Sequence, residues 1–452
     1  MKRTIFRLLA SALFLTSLHS CSLFENNVST PDSEKLIPAF HQMYYASKES
    51  PLRADQLALY VDYSTCIAEG QHSRFFRALI PSWKATATSY YGIEGKNIVE
   101  HDADSTYTLL STIHEVNYAD LKTAAERIAK GNTEAVLLTD GEYYEPSIAK
   151  GNVNNPYLTT AFKTWLKKGH DIYILSEPYV EVNHGQEFQK KRFYFLFTDR
   201  RLTDNIYSRV MQTVRLADYP GTAEFHLSAC DPQLSSKNGQ GFIVDAGLSA
   251  KVTNTPYRYE VQNWEVDWSS VIEPLFVSGV DSMGNASTEG KAFATGLFLD
   301  CNSIGGYRID GVQAKVLNIN QEYADFVAMK EAKQNVTPEI NPTVCENFIK
   351  VDDKSFGKNK EIKLCFESQM YNPDGALTGE PFNYFMVQIF VNRMETVFAE
   401  QKSLFDFQSI DLPGQDNVSV SASIEQCLVD PEIKEMIMQR PIYTVFVKAN
   451  QK

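Results

Sequence analysis

The sequence predicts an α/β protein, with a doubly wound, mostly parallel sheet over residues 50–215 and β-rich α+β domains after it. Two short apolar runs, at residues 57–61 and 135–138, pass directly into polar residues, as strands buried on both faces of a parallel sheet do. Segments with helical spacing alternate with such runs, which is the pattern of βαβ units. After residue 215, apolar and polar residues alternate, which indicates half-buried antiparallel strands.

The elements follow in order from these periodicities. A short helix at 34–46 precedes the first strand, and glycines at 131 and 169 mark the ends of two later helices. In the first domain we expect strands at 57–61, 89–93, 107–113, 135–139, 171–175 and 192–198, and helices at 73–87, 118–130, 155–168 and 202–214. Beyond it we expect one helix at 321–333, and strands at 241–246, 257–264, 292–299, 307–317, 361–366, 384–391, 418–424 and 442–447.

Length and charge limit the organisation and the partners. A chain of 452 residues exceeds one ordinary core, and we divide it into 1–21, 22–49, 50–215, 216–334 and 335–452. These are a leader, a tether with a short helix, the α/β domain and two β-rich domains. The net charge is −13 and no basic cluster occurs, which weighs against nucleic-acid binding.

The N-terminus has the pattern of a secretory leader. Lys2, Arg3 and Arg7 precede an apolar core at 8–18 that is too short to cross a membrane. Residues 18–21, Leu-His-Ser-Cys, resemble the lipobox of bacterial lipoproteins, although a histidine in it is unusual. The resemblance implies lipidation of Cys21 and a membrane-anchored envelope protein, and Ser22 favours the outer membrane. The alternative is an ordinary secreted protein with a chance cysteine.

Polar residues follow the two apolar strands in a recognisable arrangement. Asp62-x-Ser64-x-Cys66 comes after the first strand, and Thr139-Asp140 with a glycine comes after the later one. Together they resemble the motifs of the von Willebrand factor A domain, over about residues 50–215. The resemblance implies a doubly wound domain that mediates adhesion or complex assembly, with a divalent cation such as Mg²⁺ at the carboxyl edge of the sheet.

The resemblance also implies which residues hold that cation. Three positions match ligands that bind directly or through water: Asp62, Ser64 and Asp140. Cys66 replaces the second serine of the motif, and a thiol is a poor ligand for Mg²⁺. The family's intervening threonine is missing, so Asn117 or Asp120 would have to supply an oxygen. The alternative is a metal-free remnant in which the two motif aspartates cap the following helices.

These observations favour a binding function over an enzymatic one. The expected function is adhesion or complex scaffolding, with a protein or surface glycan bound at the carboxyl-edge rim and the membrane reached through the N-terminal lipid. The Glu-Tyr-Tyr-Glu segment at 142–145 suits protein contact, or is a solvated loop. The rival is an envelope hydrolase with its active site in the C-terminal half, where Glu265 and Asp267 lie beside Trp264 and Trp268. A purely structural subunit is the third possibility.

Other candidate groups are weaker. Glu177 and Glu181 could form an acid–base pair, but nothing in the sequence establishes their geometry. Six cysteines remain besides the lipidation site, and they either form disulfides in an oxidising compartment or stay buried and free. They are Cys66, Cys230, Cys301, Cys345, Cys365 and Cys427.

Overall fold

The computed structural model describes most of the chain between Leu36 and Gln451. The described residues are 36–45, 52–112, 118–145, 150–229, 233–237, 239, 241–244, 257–259, 272–276, 292–300, 305–334, 339–346, 349–366 and 382–451. The leader with Cys21, most of the tether, and Asn117 lie outside these residues. So do Glu265 and Asp267 with their flanking tryptophans.

Between Arg53 and Ser228, which we call the first domain, the described residues contain nine strands, and seven of them form one sheet. The strands are β1 (Arg53–Asp62), β2 (Ser89–Glu94), β3 (Asn97–His101), β4 (Thr133–Thr139), β5 (Tyr144–Glu145), β6 (Lys150–Gly151), β7 (Asp171–Asn183), β8 (Gln186–Thr198) and β9 (Ala223–Ser228). The sheet order is β3-β2-β1-β4-β8-β7-β9, and β5 pairs with β6 separately. Because β1 and β4 are neighbours, the two strand ends that carry the motif residues lie side by side.

The α/β class agrees with the sequence-based prediction, and the strand directions show that the sheet is mixed. β1 pairs in parallel with β2 and with β4, whereas the other four pairings are antiparallel. Four strands of seven (β1, β2, β4 and β7) therefore point the same way. The doubly wound pattern stops after β4, because β7 and β8 form a hairpin and not a βαβ crossover.

Helices cover both faces of this sheet. The helices that do so are α2 (Thr65–Gly70), α3 (Arg74–Lys84), α4 (Ala103–Leu109), α5 (Leu121–Lys130), α6 (Thr159–Lys167) and α7 (Ile206–Thr213). The helix α1 (Ile37–Tyr44) precedes them, and its Ile37 and Phe40 pack in a separate cluster with Tyr384. Alternate side chains of β1 point to opposite faces: Leu59 packs in the core with α3 and α7, and Tyr60 packs in the core with α5 and α6. The expectation of a sheet buried on both sides is confirmed.

The rest of the described chain is built mainly from antiparallel strands. They are β10 (Gln233–Ser236), β11 (Ile243–Val244), β12 (Tyr257–Tyr259), β13 (Ile272–Phe276), β14 (Ala292–Asp300), β15 (Tyr307–Asn318), β16 (Thr343–Cys345), β17 (Ile349–Val351), β18 (Glu361–Phe366), β19 (Phe382–Thr396), β20 (Phe407–Gln408), β21 (Asp416–Asn417) and β22 (Pro441–Gln451). One sheet has the order β10-β14-β18-β17 and another β12-β22-β19-β15-β16, with β11 and β13 added to them. The helices are α8 (Asn320–Glu331), α9 (Asp353–Asn359), α10 (Ser419–Val429) and α11 (Pro431–Gln439).

Two of the expected strands are helices. The strand expected at 107–113 is largely replaced by α4, which Asp102 caps by accepting a hydrogen bond from Ser105 N at 2.8 Å. The strand expected at 418–424 is α10. There the polar residues that alternate with apolar ones are serines that are fully buried and hydrogen-bonded, so their polarity does not mark an exposed face. They are Ser419, Ser421 and Ser423.

The hydrophobic core crosses the domain boundaries expected from sequence. One continuous cluster of buried side chains contains Leu137 and Phe193 of the seven-stranded sheet, Val312 of β15, and Val420 and Ile424 of α10. The C-terminal part of the chain therefore packs directly against the first domain.

Four of the cysteines are free and buried in the described structure, namely Cys66, Cys345, Cys365 and Cys427. Cys230 and Cys301 lie outside the described residues. No helix within the described ranges is long and apolar enough to span a membrane.

Candidate binding site at the carboxyl edge

Adjacent strand ends bring the two motif aspartates to one place. Asp62 is the last residue of β1, and Thr139, the last residue of β4, donates its hydroxyl hydrogen to Asp62 Oδ2 at 2.8 Å. Asp140 follows immediately and accepts a hydrogen bond from Glu142 N at 2.9 Å. Gly141 makes this turn with a φ of 77°, in the left-handed region that favours glycine. The chain therefore turns at the sheet edge directly after β4.

The first motif continues into α2. Ser64 is the N-cap residue of that helix but makes no side-chain cap bond, and its hydroxyl lies 3.1 Å from Cys66 Sγ. Cys66 is fully buried, and burial followed by the charge of Asp140 raises the pKa of its thiol well above the usual value. A thiol buried in this way packs as a small apolar side chain.

More acidic groups join this edge than the motif indicates, together with one cation. Glu142 lies 2.5 Å from Lys190 Nζ, and the Lys190 side chain is fully buried. Glu181 of β7 is half-buried, and its pKa is raised by burial. Tyr144 donates its hydroxyl hydrogen to Glu142 at 3.0 Å, and Tyr179 donates to Glu181 at 3.2 Å. We call Asp62, Asp140, Glu142, Glu181 and Lys190 the edge cluster.

A second buried ion pair lies beside the edge cluster and is formed by residues of β7 and β8. Arg192 Nη1 donates to Glu177 Oε1 at 2.6 Å, and Arg192 Nε donates to the carbonyl oxygen of Cys66 at 2.7 Å. Glu177 also accepts hydrogen bonds from Ser73 and Tyr194. This pair joins the β7–β8 hairpin to α2 and α3. Glu177 is thus a structural partner of Arg192 and not half of an acid–base pair with Glu181.

Beyond the edge, β7 and β8 continue as a two-stranded arm, residues 177–192. β9 pairs with β7 only up to Ser176, and β4 pairs with β8 only from Phe193, while β7 and β8 pair with each other to their ends. Seven residue pairs project past the sheet, which corresponds to roughly 20 Å. His184 and Gly185 make the connecting turn with positive φ angles, as two-residue hairpin loops require.

A C-terminal segment covers the other side of the edge. We call residues 404–429 the covering segment. Val420 lies so close to Gly141 that an added Cβ there would be 3.1 Å from Val420 Cγ2. Val418 N donates to the carbonyl oxygen of Val153 at 2.7 Å, and Phe407 places its ring 4.8 Å from Lys190 Nζ. At this edge Asp62 and Asp140 are only 1% and 8% exposed.

One of the residues expected at this site, Asp120, has a different role. Asp120 caps α5, accepting hydrogen bonds from Thr123 N and from the Thr123 hydroxyl. Asp62 accepts a hydrogen bond from the Thr139 hydroxyl, and Asp140 accepts one from the Glu142 amide. The segment 142–145 was expected to form an exposed rim, but its first two residues, Glu142 and Tyr143, are buried.

Sequence reasoning missed the cations of the site. Lys190 and Arg192 occupy alternate positions of β8, so their side chains share one face of the strand. The sequence contains one signal for these cations. They lie immediately before the apolar run 193–197, and the acidic residues at 177 and 181 have the even spacing that places side chains on one face of a strand. The sequence predicts strands at 171–175 and 192–198, so the arm lies almost entirely between the predicted strands.

The environment of Asp140 disfavours the ionised form of its carboxyl group. Burial, and next the charge of Glu142, raise its pKa to about 7, while the Lys190 ammonium acts in the opposite direction. An acid whose pKa is higher in the folded state stabilises that state while protonated. The stabilising contribution of protonated Asp140 is complete below its pKa in the unfolded chain, about 4. It is lost as the pH rises through its pKa in the folded protein, about 7.

Asp140→Asn should therefore remove part of the pH dependence of stability. We expect the free energy of unfolding of the variant to exceed that of the native protein by at least about 1 kcal/mol at pH 8, with the difference shrinking toward pH 4. Urea denaturation across this range measures it. The matched control is Asp204→Asn, an exposed position, which should follow the native curve. A variant that is less stable than the native protein at pH 8 contradicts the assignment.

A separate cavity of about 910 Å³ lies in the later part of the chain, against β15, β16 and β19. Its lining includes Glu346 and Asp353, and both side chains are exposed. Catalytic carboxylates are typically tuned by burial and by neighbouring charges. An exposed pair is therefore weak support for the hydrolase alternative.

No known family model matches this chain, and comparisons with curated proteins and with solved structures find no significant match. Within the described residues, no group of three or more histidine, cysteine, aspartate or glutamate side chains is arranged to hold a metal ion.

Proposed function

We propose that this protein is a lipid-anchored protein of the cell envelope, held at the outer membrane through Cys21. In this proposal its von Willebrand factor A-like domain binds a protein or surface glycan on the carboxyl-edge side of the sheet, and so mediates adhesion or scaffolds a complex. The anchor rests on the sequence of the leader. The binding side rests on the geometry of the arm, which is the observation that carries the proposal.

The arm has the features of a recognition element. On its outer face Val180 and Val182 are 43% and 66% exposed, and Pro178 beside them is exposed too. Strand pairing with β9 ends at Ser176, so in the part of the chain that the structure describes the arm presents a strand edge without a neighbouring strand. Exposed apolar side chains along such an edge favour the docking of another chain.

The base of the arm supports this role because it is rigidly held. The buried Arg192–Glu177 pair and the contact of Phe407 with Lys190 anchor the inner face, while the outer face stays exposed. A preorganised element loses little conformational freedom on binding, which favours affinity.

Site-specific cross-linking in intact cells tests the proposal. With a photoreactive benzophenone amino acid at position 182, we expect covalent adducts with one or a few partner molecules after irradiation, because this side chain faces outward from the arm. The matched control places the same group at Val344, which is 47% exposed on β16. Absence of adducts at position 182, or the same adducts at both positions, would show that the arm is not the binding surface.

A further inference from the structure

The edge cluster contains a cation that belongs to the chain itself. Lys190 Nζ lies 2.5 Å from Glu142 Oε1, with the side chain fully buried, and its charge also acts on Asp140 and Glu181. A buried ammonium is unfavourable unless acidic groups compensate it, and the same holds in reverse for buried carboxylates. The Glu142 carboxylate and the Lys190 ammonium therefore stabilise each other.

The carboxyl groups of the cluster already have donors within the protein. Asp62 accepts from the Thr139 hydroxyl at 2.8 Å, and Asp140 accepts from Glu142 N at 2.9 Å. Glu142 and Glu181 accept from tyrosine hydroxyls. A Mg²⁺ ion would have to displace several of these donors, and it keeps several waters of its own. Side chains as buried as Asp62 and Asp140 leave poor access for such a hydrated ion.

We propose that the Lys190 ammonium takes the role of the divalent cation implied by the family resemblance. A side chain of the protein itself then balances the negative charge of the acidic groups at the carboxyl edge. The residues present thus fit a metal-free edge whose positive charge comes from the arm. Since Lys190 lies on β8, the same ammonium ties the arm to the turn after β4 through Glu142. This inference does not depend on the identity of any partner of the arm.

Calorimetric titration of Mg²⁺ and Mn²⁺ into the full-length protein, purified in detergent, tests the inference. We expect no saturable heat from the native protein at millimolar metal. In Lys190→Met the carboxylates lose their cation, and we expect Mn²⁺ binding to appear and to disappear again in the double variant Lys190→Met with Asp140→Asn. Saturable binding by the native protein that Asp140→Asn abolishes would overturn the proposal.

Thermal unfolding covers the case in which Lys190→Met is poorly folded. Mn²⁺ should raise the Tm of this variant, because a ligand that binds only the folded state stabilises it. The control Lys190→Arg keeps the charge, and its Tm should not respond to Mn²⁺. A Lys190→Met protein that neither binds Mn²⁺ nor gains stability from it contradicts the idea that the ammonium stands in for a metal ion.

Discussion

Arg192→Met is expected to lower the free energy of unfolding by about 3–5 kcal/mol, which is the usual cost of removing one partner of a buried ion pair. Arg192 is fully buried, and its guanidinium donates to Glu177 and to the carbonyl oxygen of Cys66. Methionine fills a similar volume but leaves the Glu177 carboxylate without its cation at 4% exposure. Equilibrium urea denaturation followed by circular dichroism measures the loss.

Two controls separate the ion pair from simple loss of packing. The double variant Arg192→Met with Glu177→Gln removes both charges and should recover part of the stability. Arg308→Met changes an arginine whose side chain is 53% exposed, and it should cost less than about 1 kcal/mol even though it breaks contacts with Asp310 and Glu395. Equal losses in all three proteins would contradict the role assigned to the buried pair.

Val420→Asp is expected to destabilise the protein by more than about 3 kcal/mol, because it places an unpaired carboxylate in the core. Val420 is fully buried in α10, next to Gly141 and within the same cluster as Leu137. The control is Val429→Asp at the end of the same helix, which is 50% exposed and should change stability by less than about 0.5 kcal/mol. Thermal unfolding measures both.

The effect of Val420→Asp on the seven-stranded sheet is a second expected result. If the covering segment is part of the core of the first domain, Val420→Asp should lower the unfolding temperature of the seven-stranded sheet itself. Hydrogen exchange of β4 amides reports on that sheet directly. Unchanged protection in β4, with loss confined to α10 and α11, would show that the covering segment is an independent unit.

Much of the first domain follows from local sequence. The runs at 57–61 and 135–138 are apolar without interruption, and both are strands buried on each side, as expected. The pairing of Asp62 with Thr139 was also predictable in outline, because parallel neighbours end at one edge. Whether that edge is open to a partner was not predictable, since residues 404–429 that cover it are far away in the chain.

The helix α10 shows where local patterns fail. Alternating valine and serine residues have the period of a half-exposed strand, but Ser423 donates to the carbonyl oxygen of Ser419 at 2.7 Å and accepts from Leu158 N at 3.2 Å. Its hydroxyl is satisfied inside the protein, so the residue can be buried at no net loss of hydrogen bonds. The spacing of apolar residues therefore indicates which positions are exposed only where the polar side chains between them need water as a hydrogen-bond partner.

By itself the sequence determined the class of the fold, the position of the strand ends and the acidic residues that follow them, because these depend on neighbours along the chain. The tertiary structure alone decided that Lys190 and Arg192 are buried, that β7 and β8 extend into an arm, and that the C-terminal segment closes the edge. Those features depend on charges and surfaces that meet only after folding. The environment of the buried Lys190 is supplied by Glu142 and Phe407, from distant parts of the chain.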